Sequence, residues 1–171
     1  MPLTARWLAV AAVSAVGALF LLLFGPFEVY RASAPAGIEA PFWYMVTAFP
    51  VLGLLVAEWL ALALRRAWWP AAELAAAVAV MVALSGCRLE LRIPVSGHAL
   101  LFCYALLRLG WLPVARGPGR RVELALTGLL LVGTSAVKLL LWDDPVTLAV
   151  GLALGGLLFG GSFALARRPP R

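Results

Sequence analysis

The chain has 171 residues, 64% of them hydrophobic and 13% charged, with a net charge of +6 and a mean hydropathy of +0.98. A soluble domain carries about twice that charged fraction, so a water-soluble globule is excluded as a description of the whole. The positive charge would point to nucleic acid in a soluble protein; here it follows from the placement of arginines between apolar segments, and no nucleic-acid partner is expected.

The apolar residues come in blocks of roughly 16 to 23, long enough to cross a ~30 Å hydrocarbon core as helices. The first predicted span covers about 7–24. Its apolar run is longer than a cleavable signal core, and Pro35 after the Ala-Ser-Ala at 32–34 disfavours a cut, so it reads as a retained helix. The second, 42–64, stops at "RRAWWP", and the third, 71–86, at "CRLELRIPVSG". The fourth, 98–115, ends in "RGPGRR", the fifth, 122–142, in "DDP", and the sixth, 146–166, in "RRPPR". Proline and glycine stop a helix by removing a donor or loosening the backbone. The expected fold class is therefore all-α: one six-helix membrane domain spanning 1–171. Cys87 and Cys103 form no metal-binding pattern, and no cofactor is indicated.

If six spans alternate, one face gathers Arg6, Arg65, Arg66, Arg108, Arg116, Arg120, Arg121, Arg167, Arg168 and Arg171 against Glu58, Glu73 and Glu123, a net +7. The opposite face carries four cations, Arg31, Arg88, Arg92 and Lys138, against five carboxylates, a net −1. The excess of arginine puts the first face, and with it both termini, in the cytoplasm. Trp7, Trp68, Trp69 and Trp111 mark that boundary and Trp43 and Trp142 the other. "CRLELRIPVSGH" and "LLLWDDPVT" then share the extracytoplasmic end of the bundle.

Those two stretches hold the candidate site. Arg88 and Arg92 can clamp phosphate or carboxylate oxygens, because guanidinium groups bind them in a bidentate fork. Ser96 or Gly97 would cap the fourth helix, whose N-terminal N–H groups and dipole favour an anion. His98, the only histidine, falls in the first turn, where it can donate a proton or a hydrogen bond. Lys138, the only lysine, sits inside the fifth span, where a charge costs about 2.5–3.5 kcal/mol near the bilayer centre. It can snorkel past Trp142 to the surface, or pair with Asp143, Asp144 or an anionic ligand. Ordinary helix capping explains Ser96 and the aspartates equally well. Glu58 and Arg108, deeper in the second and fourth spans, read as an ion pair or as snorkelling groups. The glycines of "VGLALGGLLFGG" read as small residues that let helices approach closely.

"RIPVSGHA" resembles the second motif of the type 2 phosphatidic acid phosphatase superfamily, usually Pro-Ser-Gly-His. "RLELR" stands where that family has its Lys/Arg-rich first motif. "TSAVKLLLWDDPVTLAVGLALGG" has the outline of the third, with Ser135, Lys138, Asp143 or Asp144, Thr147 and Gly151. The sequence is also similar to bacterial membrane proteins with the same SGH and Lys–Trp–Asp–Thr pieces. The resemblance implies a six-helix core with its site at one membrane face, in a bacterial inner membrane. It implies a lipid phosphate or pyrophosphate as substrate, with His98 as general acid and Arg88, Arg92, Ser96, Gly97, Lys138 and Thr147 around the phosphoryl group. The site residues make no recognisable carboxylate–histidine metal set. The family's nucleophile is a second histidine, which this chain lacks; an aspartate stands there instead. Either Asp143 or Asp144 is then nucleophile or base, or His98 is itself the nucleophile, or catalysis is lost and the pocket binds or moves an anionic lipid. A structural subunit of a membrane complex is the remaining class.

Overall fold

The computed structural model describes residues 3–24, 47–87, 94–111, 118–141 and 145–166. They form six α-helices and, among the described residues, no strand: α1 (Leu3–Phe24), α2 (Ala48–Leu64), α3 (Trp68–Cys87), α4 (Gly97–Trp111), α5 (Pro118–Leu141) and α6 (Pro145–Ala166). Each expected span overlaps one of these helices, while positions 42–46, 112–115 and 142 of the expected spans lie outside the described residues. Pro118 and Pro145 open α5 and α6, where proline's missing N–H has no helical acceptor to lose. Among the described residues, three stretches are long and apolar enough to cross a membrane, Trp68–Ser85, Gly119–Leu140 and Pro145–Ala164, as in a membrane protein.

The chain divides into two compact units, residues 1–58 and 59–171. In the first, α1 and the start of α2 meet backbone to backbone. A Cβ on Gly53 would lie 2.6 Å from Val10 Cα, and one on Gly17 would lie 2.9 Å from the Phe49 ring.

The second unit begins with the end of α2, closed by a Schellman motif. Ala67 N–H donates to Leu62 O at 3.0 Å and Arg66 N–H to Ala63 O at 2.9 Å, with Arg66 left-handed at φ 57°. At the centre of this unit lies α4. Its 15 residues reach only about 22 Å, and His98, Ala99, Leu100, Phe102, Tyr104, Ala105, Arg108 and Leu109 are all buried. Against it runs α6, held by Gly151 and Gly155. A Cβ on Gly151 would meet Ser96 O at 2.6 Å, and one on Gly155 would meet Leu100 O at 2.6 Å. Small residues four apart allow this separation, and nothing larger than glycine does. Farther along, Phe159 and Phe163 of α6 gather around Trp111 with ring centroids 5.7–6.1 Å apart.

On the other side of α4, α5 is an inside-out helix. Glu123, Thr127, Thr134 and Lys138 are buried, while Val122, Leu126, Leu129, Val132, Leu139 and Leu140 are exposed. Spacings of four, seven and four put the polar set on one stripe. Water would select the reverse arrangement; hydrocarbon selects this one, because polar groups there must find partners inside the protein. Arg120 at the start of α5 donates from Nε to Leu109 O (2.8 Å) and from Nη2 to Arg108 O (3.3 Å). It thereby satisfies carbonyls that the last turn of α4 leaves without helical partners.

The glycines of α6 therefore differ in kind. Gly155→Leu is expected to destabilise the protein by about 1–3 kcal/mol, since the added atoms overlap backbone. Gly156, whose Cβ would meet nothing within 4 Å, is expected to accept alanine with unchanged or slightly raised stability. Thermal unfolding in detergent micelles compares the two; equal losses would contradict the packing described.

Candidate functional site

Four helices converge on Ser96 and Gly97. The Ser96 carbonyl accepts the first intrahelical bond of α4 from Leu100 N–H at 3.0 Å, which makes Ser96 the N-cap by backbone. Its own N–H donates to the carbonyl of Thr147, in the first turn of α6, at 3.1 Å. Gly97 sits against α3: a Cβ there would lie 2.7 Å from Ser85 Oγ. From the last turn of α5, Lys138 Nζ donates to Ser96 Oγ at 3.4 Å. The Ser-Gly pair is thus a junction of α3, α4, α5 and α6, which accounts for the small residues there.

Burial decides the state of Lys138. It is 1% exposed, beside a Ser96 that is fully buried, so the ammonium is enclosed by protein and does not snorkel to the surface. This corrects the snorkelling alternative, since the extended stem would have to leave the helix bundle to reach water. His98 is 4% exposed, and its ring meets Phe102, one turn on, edge to face at 5.8 Å and 84°. The structure brings Ser96, Gly97, His98 and Lys138 into one region and adds Thr147 through its carbonyl. Arg88, Arg92, Asp143 and Asp144 lie outside the described residues. Among the described residues no group of three or more His, Cys, Asp or Glu is placed to hold a metal ion, and Cys103 is a free thiol.

An ammonium on a hydroxyl, with an imidazole two residues along the chain, is a donor set of the kind an anion uses. The cation has few competing contacts with water, so its attraction for a negative group is stronger than at a surface. The N-terminal dipole of α4 adds in the same direction.

A second polar cluster, which the sequence did not single out, occupies the opposite end of α4. Arg108 Nη1 donates to both carboxylate oxygens of Glu73, at 3.2 and 2.9 Å, and to Tyr104 Oη at 3.0 Å. Tyr104 donates to Glu73 Oε1 at 3.4 Å and lies 3.3 Å from Ser162 Oγ. Arg108 was expected to pair with Glu58 or to snorkel; the ion pair described for it is with Glu73 of α3. Two signals could have found the cluster: Glu73 is the sole charge in α3, and Tyr104 and Arg108 are four apart on one face of α4.

Comparison with protein-family models, curated proteins and solved structures finds no match to this chain.

Removing one side of the buried pair tests its energetic weight. Glu73→Gln is expected to cost about 3–5 kcal/mol, because the Arg108 guanidinium stays buried without a counter-charge. The double variant Glu73→Gln, Arg108→Met should recover much of that loss in equilibrium unfolding. A double variant as unstable as the single one would show that the pair is not what Glu73 provides.

Proposed function

We propose that this chain is a six-span protein of a bacterial inner membrane, with both termini cytoplasmic, that acts on or binds a lipid phosphate at the extracytoplasmic face as a divergent relative of the type 2 phosphatidic acid phosphatases. The observation that carries the reading is the buried Lys138–Ser96 contact at the start of α4, with His98 two residues on. It joins the residues of the SGH triplet to those of "KLLLWDDPVT", the two stretches on which the resemblance rests.

In this reading an aspartate, Asp143 or Asp144, attacks phosphorus. The P–O bond to the lipid alcohol breaks, and His98 gives the leaving oxygen its proton. Water then hydrolyses the acyl phosphate and releases inorganic phosphate. Lys138, Arg88 and Arg92 offset the charge on the phosphoryl oxygens, and Ser96 and Gly97 shape the helix terminus against them.

One fact favours a second reading, a lipid-binding or lipid-moving protein without turnover. The chain has a single histidine, so the second one used by the family is absent. Both readings need Lys138 as the anion's partner.

Phosphate release from dioctanoyl phosphatidic acid and an isoprenyl phosphate by the purified protein separates them. Turnover is expected to fall at least a hundredfold in His98→Ala and in Asp144→Ala or Asp143→Ala. Turnover indifferent to all three substitutions would sink the phosphatase reading. Lys138→Met keeps the volume of the side chain while removing its charge and its contact with Ser96. It should weaken binding of the same lipid at least tenfold; unchanged binding would exclude Lys138 as the anion's partner in either reading.

A further inference from the structure

A groove of about 400 Å³ runs between α3 and α6, on the far side of the second polar cluster. Ala76, Ala77, Val80 and Leu84 form one wall, and Leu154, Leu157, Leu158 and Gly161 the other. Glu73 and Ser162 line one end of it. From Glu73 to Leu84 is eleven residues of α3, or about 16 Å, which makes the groove long and roughly 8 Å across at most. A helix, 10–12 Å in diameter, is too wide to enter. A single hydrocarbon chain fits.

The glycines of α6 support an occupant. Gly151 and Gly155 are closed against α4, but a Cβ on Gly161 would meet nothing within 4 Å. Glycine in a helix interior costs about 1 kcal/mol relative to alanine. Gly156 and Gly160 are equally open among the described residues, but only at Gly161 is the space part of the groove.

The polar end specifies the head of the occupant by counting protons. Tyr104 has one hydroxyl hydrogen, which it donates to Glu73, so the 3.3 Å contact with Ser162 uses the Ser162 hydrogen. Toward the groove, then, Ser162 Oγ and the Glu73 carboxylate offer only acceptors. A phosphate or carboxylate head would set acceptor against acceptor. An ammonium head would bring its own charge out of water into an apolar groove, which is costly. A hydroxyl donates one hydrogen bond and adds no charge.

We infer that the α3/α6 groove is a binding site for a lipid alcohol, with its hydrocarbon chain along Ala76–Leu84 and Leu154–Gly161 and its hydroxyl on Glu73 and Ser162. A lipid alcohol is also what hydrolysis of a lipid phosphate releases. The groove assignment nevertheless stands on its own residues and survives failure of the phosphatase reading.

The test uses 1-dodecanol carrying a mid-chain diazirine, irradiated with the full-length protein in nanodiscs and mapped by peptide mass spectrometry. Label on 76–84 and 154–161 is expected to exceed that on the exposed α5 positions Leu129 and Leu140 at least tenfold. Unlabelled dodecanol should compete it away, and dodecyl phosphate and dodecylamine should not. Gly161→Leu fills the groove without meeting backbone and is expected to cut labelling at least fivefold with an unchanged unfolding midpoint. Should that variant unfold, Ala76→Leu on the facing wall repeats the test. Even labelling of all apolar helices, or labelling unaffected by both fillings, overturns the site. Competition by dodecyl phosphate as strong as by dodecanol overturns the assignment of the head.

Discussion

The contact between the backbones of α4 and α6 at Gly151 and Gly155 is the constraint from which the second unit is built. With Cβ positions only 2.6 Å from the Ser96 and Leu100 carbonyls, no side chain can stand between the helices there. That closeness lets Ser96 N–H reach the Thr147 carbonyl at one end of α4. Two turns on, it lets the Tyr104 hydroxyl reach Ser162. In a hydrocarbon solvent, apolar contact between helices gains little over contact with lipid, so close van der Waals approach and polar pairing have to hold the helices together. Here the same two glycines provide the first and position the second.

The polar side chains follow from the same solvent argument. A short α4, enclosed by three longer helices, carries one polar cluster at each end: Ser96, His98 and Lys138 at its start, Tyr104 and Arg108 near its finish. Each cluster recruits a charge from a neighbour, Lys138 from α5 and Glu73 from α3. The Arg120 side chain then closes the last carbonyls of α4. Such groups are expensive to bury and are retained where they hold a register or serve a ligand. The first cluster sets a lysine beside a helix N-terminus, and the second sets an arginine–glutamate pair at the end of an apolar groove.

The positions of the helices were legible from apolar runs and their Pro, Gly and Arg breaks, because length and local pattern determine them. The inward direction of Lys138 was half legible: its presence in an apolar span implied either a partner or escape to the surface, and only packing distinguishes the two. Gly151 and Gly155 were recognisable as packing residues, whereas the open setting of Gly156 and Gly161 in the same run was not. Sequence spacing gives the face of a helix but not which neighbour lies against it. The pairing of Arg108 with Glu73 was missed for that reason: the partners are 35 positions apart on different helices. Arg88, Arg92, Asp143 and Asp144, the residues that would complete the phosphoryl site, fall outside the described segments and remain sequence expectations.

Lys138 is the only lysine, which makes its enclosure at the Ser96 junction directly measurable. A water-soluble amine-acylating reagent, applied to the protein in proteoliposomes and followed by mass spectrometry, reports its accessibility against the same protein unfolded in detergent. The account predicts acylation of Lys138 at least tenfold slower in the native protein, and accelerated in Gly151→Val, where the α4–α6 contact is forced apart. Acylation of native Lys138 at the unfolded rate would contradict it.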